Sequence, residues 1–225
     1  MTRAALTIAV LPVKPFGVAK QRLAQELGKG TRRALVEAMV TDVLIALRRS
    51  KRLDRVLVVT REPSMEALAQ GYDADAVTDT ADETHSAAAA LGVAEAVARG
   101  ARRVLLVAGD CPAMDPHALD ALLDRPFGSA EAPSVVVVPD RHGTGTNALL
   151  LSPPQIIAPA FGPGSCDRHL DAAEQAGAAV EVAEIPSLVL DVDTADDLDA
   201  LRTALAAGVG NAAHTRGMLS RLARR

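Results

Sequence analysis

Five apolar residues in a row, Val104 to Ala108 within RVLLVAGDCPAMDP, constrain the fold more than any other stretch of the chain. An apolar run of strand length with no alternation needs cover on both faces. A second run, SVVVVP at 134–139, makes the same demand. Between such runs lie segments of helical period, the longest carrying Leu35, Val36, Met39, Val40, Val43, Leu44 and Leu47. Strands alternating with helices predict an α/β domain, a mostly parallel sheet with helices on both faces. The 225 residues suffice for one such domain with a full core.

Taken in order, strands are predicted at 6–13, 55–60, within 73–79, and at 104–108, 134–139, 148–151, 180–185 and 188–190. Helices are predicted from a Thr31 cap through residue 47, at 63–71, 86–99, 116–123, about 167–175, and 195–206. No helix fits between 134–139 and 148–151, so that pair is the expected antiparallel departure. Nothing divides residues 1–210, which read as one domain; 211–225 read as a frayed basic tail.

Aromatics make up only 2% of the chain, so the core must be built from Ala, Val and Leu. The net charge of −4 argues against broad nucleic-acid binding. Cys111 and Cys166 have no metal or redox spacing. The first apolar run is short, lacks a cleavage site and reads as a strand, and no run is long enough to span a bilayer. A soluble cytoplasmic protein with no membrane partner is expected.

The chemistry concentrates at predicted strand ends. Gly109-Asp110 closes the central run, and Cys111-Pro112 forbids helix there. The following helix has its own cap in Asp115, with Pro116 at its first position, so Asp110 is left without a capping task. Asp191 and Asp193 are spare for the same reason: Thr194 and Asp197 already form a capping-box pattern. Carboxylates at the carboxyl ends of sheet strands, two of them spaced to face one ion, suit Mg²⁺. Phe161-Gly-Pro-Gly-Ser165 and Gly143-Thr-Gly-Thr146-Asn147 are each either an ordinary turn or a cradle of N–H donors for a small anion. Lys14, Lys20 and Arg22 follow the first strand, where three cations suit a triphosphate. No P-loop, dinucleotide fingerprint or nucleophile elbow is present. Ser165 has no evident base, and the neighbouring carboxylate would raise the pKa of Cys111.

LPVKPFGVAKQRL, AGDCPAMDP, DRHGTGTNALLL, FGPGSCDRH and LDVDTADDL, in that order, resemble the phosphoenolpyruvate and 2-phospho-L-lactate guanylyltransferases of coenzyme F-420 biosynthesis, the CofC/FbiD type. The resemblance implies a single-domain, Rossmann-like nucleotidyltransferase fold, a three-layer sandwich. It implies the joining of GTP to a three-carbon phosphate with release of pyrophosphate, and a homodimer as the usual assembly. By resemblance, Asp110, Asp191 and Asp193 hold Mg²⁺; Thr146, Asn147, Gly162 and Ser165 hold the acceptor; Lys14, Lys20 and Arg22 face the nucleotide phosphates. Lys20 and Asp110 are the expected catalytic residues. One block departs: Glu83-Thr-His-Ser-Ala-Ala88 stands where the family shows Gly-x-Leu-Asn-x-Ala, near the nucleoside. The Ala- and Arg-rich composition favours phosphoenolpyruvate as acceptor over 2-phospho-L-lactate or 3-phosphoglycerate. A sugar or cofactor nucleotidyltransferase, a glycosyltransferase using D-x-D, and a non-catalytic nucleotide sensor are the competing readings.

Overall fold

The computed structural model describes residues 6–15, 20–25, 27–80, 84–125 and 132–222. Seven strands form one sheet: β1 (Thr7–Pro12), β2 (Arg55–Thr60), β3 (Asp75–Thr78), β4 (Arg103–Val107), β5 (Ser134–Pro139), β6 (Thr146–Ser152) and β7 (Ala179–Val182). Their order is β3-β2-β1-β4-β6-β5-β7. Every pairing is parallel except those of β6, which runs antiparallel to both β4 and β5. The expected departure is therefore β6, reached from β5 through a turn too short for a helix.

The helices are α1 (Lys29–Arg49), α2 (Pro63–Gly71), α3 (His85–Ala98), α4 (Pro116–Leu123), α5 (Ser165–Gln175), α6 (Ala195–Ala206) and α7 (Ala213–Leu222), with a 3₁₀ turn at Gln21–Gln25. Strict alternation along the strands divides the core in two. Ala9, Leu11, Leu105, Val107, Val136 and Val138 face α1, α4, α6 and α7. Ile8, Val10, Val104, Leu106, Val135 and Val137 face α3 and α5. Two-sided burial is why these strands lack a polar face. The near-absence of aromatics is met by close approach: a Cβ at Gly92 of α3 would collide with the side chains of Val10 and Val59.

Four expectations are corrected. Residues 188–190 are not a strand; the stretch is turn, and the Leu188 carbonyl is taken by the Asn147 amide at 2.9 Å instead of by a neighbouring strand. α1 begins at Lys29, two residues before the expected Thr31 cap, with Gly28 as its N-cap and the Gly28 carbonyl accepting from Arg32 N–H at 3.0 Å. α5 begins at Ser165, because Gly164 adopts the left-handed conformation (φ 69°) that lets the helix start there. Most of the expected frayed tail is α7. Asp42 of α1, itself buried, accepts from the N–H groups of His214 (3.1 Å) and Thr215 (2.7 Å), and Leu219 is buried. Residues 223–225 lie outside the described residues. Among the described residues, no helix is long and apolar enough to cross a membrane.

Candidate active site

β1 and β4 lie side by side in parallel, and the sheet continues through β2 on one side and β6 on the other. This is a topological switch point, where the loops leaving the two strands diverge and open a crevice at their carboxyl ends. The loop after β1 carries Lys14 and Lys20; the loop after β4 carries Gly109 and Asp110. Antiparallel β6 begins at this same edge, and its Asn147 carbonyl accepts from Ala108 N–H at 2.9 Å. The chain then returns from edge strand β7 along residues 183–194. The Asn147 amide donates to Asp191 Oδ1 at 3.2 Å as well as to the Leu188 carbonyl, which ties that returning segment to the crevice.

Lys20 is the centre of this arrangement. Its ammonium donates to Asp110 and, at 2.7 Å, to Asp193 Oδ1. The Lys20 side chain is only 7% exposed, while those of Asp110 and Asp193 are 26% and 49% exposed, so a sequestered cation sits below a solvent-facing acidic rim. Burial works against its charge, but the two carboxylates outweigh burial and hold the ammonium protonated well above its usual range. The Lys20 backbone is left-handed at φ 54°, an uncommon conformation for a residue with a side chain. Asp191 is pushed up to about 6, first by burial and then by the charge of Asp110, with the Asn147 amide opposing.

Among the described residues no three carboxylates, histidines or cysteines converge on one point, and the Lys20 ammonium stands between Asp110 and Asp193. The donor set nevertheless fits a hard divalent cation. Its members are oxygen ligands, and Asp191 is a partly buried anion facing two further carboxylates with one amide donor to offset them. The Cys111 thiol is fully buried, and burial together with Asp110 and Asp191 raises its pKa, so it is no nucleophile.

The two glycine-bearing loops meet on the other side of β6. Asp140 Oδ1 accepts from the N–H groups of His142 and Thr144, both at 3.0 Å, and a Cβ at Gly145 would strike that carboxylate. Cys166 N–H donates to the Thr144 carbonyl at 3.1 Å, and Ser165 N–H to that of Gly162 at 3.0 Å, so the turn leading into Thr146 is tied to the loop of Gly162 and Ser165. Ser165 and Thr146 are both buried. Asn147, the next residue along β6, turns instead to Asp191. Lys14 is exposed and close enough to His85 to disfavour its protonation. Arg22 is exposed on the 3₁₀ turn, and nothing joins it to the acidic rim among the described residues.

Comparisons with known proteins identify the family and the fold. Residues 7–223 match the family model described as guanylyl transferase, CofC like. The chain belongs to the CofC-like guanylyltransferase family. A relative from Conexibacter woesei named phosphoenolpyruvate guanylyltransferase is 56% identical over 218 residues, covering 97% of each chain. One from Sphaerobacter thermophilus with the same name is 36% identical and covers 87% of this chain and 92% of its own. Among solved structures, a putative nucleotide-diphospho-sugar transferase from Desulfovibrio desulfuricans superposes with a TM-score of 0.75 at 16% identity, covering 97% of this chain and 96% of that one. A nucleotidyl transferase from Methanothermobacter superposes with a TM-score of 0.63 at 21% identity, covering 90% of this chain and 99% of that one. The CofC-like chain thus has the nucleotidyltransferase fold.

The sequence assigns no role to several residues that shape this site, and it sets His169 aside as a base for Ser165. His85, at the start of α3, meets Phe161 edge-on with ring centroids 5.1 Å apart, and Phe161 meets His169 edge-on at 5.2 Å. His169 Nε2 accepts from Ala160 N–H at 2.9 Å, which assigns the proton to Nδ1, facing Thr146 Oγ1 at 3.0 Å. Burial, and then Arg168, lower its pKa to about 4, so the ring is neutral. Arg168 clasps the FGPGS loop through the carbonyls of Ala160, Gly162 and Pro163. An Arg one turn into a helix that follows Gly-Pro-Gly is the available sequence signal for this clasp. Of the departing block 83–88, Glu83 lies outside the described residues. Thr84 caps α3 by accepting from Ala87 N–H at 3.0 Å.

Proposed function

We propose that this CofC-like chain is a phosphoenolpyruvate guanylyltransferase of coenzyme F-420 biosynthesis, joining GTP to phosphoenolpyruvate to give enolpyruvyl-diphosphoguanosine. The observation that carries the reading is Lys20 and its two carboxylates at the β1/β4 switch point, in a chain 56% identical to a relative of that name. One phosphate oxygen of phosphoenolpyruvate attacks the α-phosphorus of GTP. The bond from that phosphorus to the bridging oxygen of the β-phosphate breaks, and pyrophosphate departs with the electron pair. The acceptor phosphate is already anionic at neutral pH, so no protein base is needed.

The task left to the protein is to align two anions that repel each other and to neutralise charge on the α-phosphate and the leaving group. Lys20 supplies a desolvated cation at the crevice, and Lys14 and Arg22 add charge around it. Thr146 and Ser165, with the N–H groups of the Gly162 loop, are the donors for the acceptor's phosphate and carboxylate. Neutral His169 fixes the Thr146 hydroxyl, and Arg168 holds the loop. Asp110, Asp191 and Asp193 would hold Mg²⁺, which when bound screens the triphosphate and favours departure of pyrophosphate. A cytoplasmic location, where GTP and phosphoenolpyruvate are at hand, is part of this reading.

Purified protein with GTP, Mg²⁺ and phosphoenolpyruvate is expected to release pyrophosphate, with 2-phospho-L-lactate, 3-phosphoglycerate and the other nucleoside triphosphates run in parallel. Preference for another three-carbon phosphate changes the acceptor. No turnover with any of them overturns the reading.

A further inference from the structure

Asp197 does more than a helix cap requires. Its Oδ2 accepts from Thr194 N–H and the Thr194 hydroxyl, both at 2.8 Å, which with Thr194 accepting from Asp197 N–H completes the capping box of α6. The same oxygen also accepts from the N–H of Asp193 at 3.0 Å. Its other oxygen, Oδ1, takes Arg141 Nη2 at 2.6 Å, and the Asp197 side chain is only 8% exposed. Arg141 stands on the β5–β6 turn, whose shape is set by Asp140 and which leads directly into Thr146. One buried carboxylate therefore grips both the backbone that carries Asp193 and the turn that carries Thr146.

We infer that Arg141 and Asp197 are positioning residues that couple occupancy of the acceptor loop, on the Thr146 side, to divalent-cation binding at the aspartate rim. The inference rests on the proposed function for the acceptor's identity, not for the existence of the linkage. Ligands that tighten the turn about Arg141 pull Asp197 and, with it, the backbone of Asp193. Reciprocity then requires the cation to tighten acceptor binding by the same factor. Neither residue needs to touch substrate.

The test uses Mn²⁺ as the probe, with free Mn²⁺ counted by electron paramagnetic resonance, on full-length wild type, Arg141→Met, Arg141→Lys and Asp197→Asn. In the wild type with GTP, phosphoenolpyruvate is expected to tighten Mn²⁺ binding. Arg141→Met should cut that enhancement about fivefold, a size typical of inter-site coupling. The same variant should raise the KM for phosphoenolpyruvate while its melting temperature stays close to that of wild type. Arg141→Lys, which keeps the charge without the planar fork, should restore part of the coupling. Mn²⁺ affinity without nucleotide or acceptor should also weaken in Arg141→Met, which tests the network whatever the acceptor proves to be. Unchanged Mn²⁺ affinity and unchanged coupling in Arg141→Met would overturn the inference, even with Asp197→Asn too unstable to measure. Absence of pyrophosphate release from the wild type would overturn the functional reading and leave the Mn²⁺ result standing on its own.

Discussion

The ammonium of Lys20 lies 2.7 Å from Asp193 Oδ1 and bridges it to Asp110, although the three residues come from three separate loops. One cation thereby joins the loop after β1, the loop after β4 and the segment returning from β7. A group so placed contributes to stability as well as to chemistry, and the two contributions separate by experiment.

Lys20→Met should lower kcat/KM for nucleotidyl transfer by about a thousandfold, the scale for loss of a charge placed against a developing anion. It also leaves Asp110 and Asp193 facing each other unbridged. Because both carboxylates keep contact with water, the stability cost should be modest, about 1 kcal/mol. Thermal melts with and without Mg²⁺ check this, and Mg²⁺ should recover more stability in the variant than in the wild type.

Asp191 carries the opposite trade-off. Its folded pKa, about 6, lies above the ordinary value of 3.8, so its contribution to stability is present below pH 3.8 and is lost as pH rises through 6. Asp191→Asn should therefore stabilise the metal-free protein at pH 7, by about 1–2 kcal/mol, and abolish turnover. The gain should vanish below pH 4. Denaturant titration across pH 4–7 measures it, and a destabilised variant at pH 7 would count against burial and Asp110 disfavouring the Asp191 carboxylate.

His169 titrates with the other sign. Its folded pKa of about 4 lies below the ordinary 6.5, so the stability it contributes is present above pH 6.5 and is lost as pH falls towards 4. Nitrogen NMR at pH 7 should show a neutral ring with the proton on Nδ1. His169→Ala should destabilise the protein by about 3 kcal/mol, since it empties buried volume and strips partners from Thr146 and Ala160 N–H.

Gly92→Ala tests the packing account away from the site. Alanine is the better helix former by about 1 kcal/mol, yet its Cβ would meet Val10 and Val59. A net loss of about 1–2 kcal/mol is expected, the scale of overpacking a filled core. A rise in melting temperature would show that α3 can lift off the sheet at no cost.

The parts of this protein legible in its sequence are those fixed by local pattern. β2, β5, α2, α4 and α6 fall at the residues where apolar period, Pro116 and the Thr194–Asp197 box put them. What stayed hidden was decided at long range. Val189 and Leu190 look like strand, but the Asn147 amide claims the neighbouring Leu188 carbonyl and the segment turns towards the crevice. The basic C-terminal stretch looks frayed because the carboxylate that receives its first N–H groups, Asp42, belongs to α1. At the site, the aspartates stood out because nearby caps left them spare. Arg141 stayed hidden because its contact with Asp197 has no local signature, and the one hint of the Arg168 clasp is its place one turn into the helix that follows Gly-Pro-Gly.

The most direct test of the central claim is pyrophosphate release by the purified protein with GTP, Mg²⁺ and phosphoenolpyruvate, measured beside Asp110→Asn. The wild type should release pyrophosphate and form enolpyruvyl-diphosphoguanosine in equal amounts. Asp110→Asn should release none while melting within a few degrees of the wild type. Wild-type protein that turns over no three-carbon phosphate, or an Asp110→Asn variant that stays fully active, would contradict it.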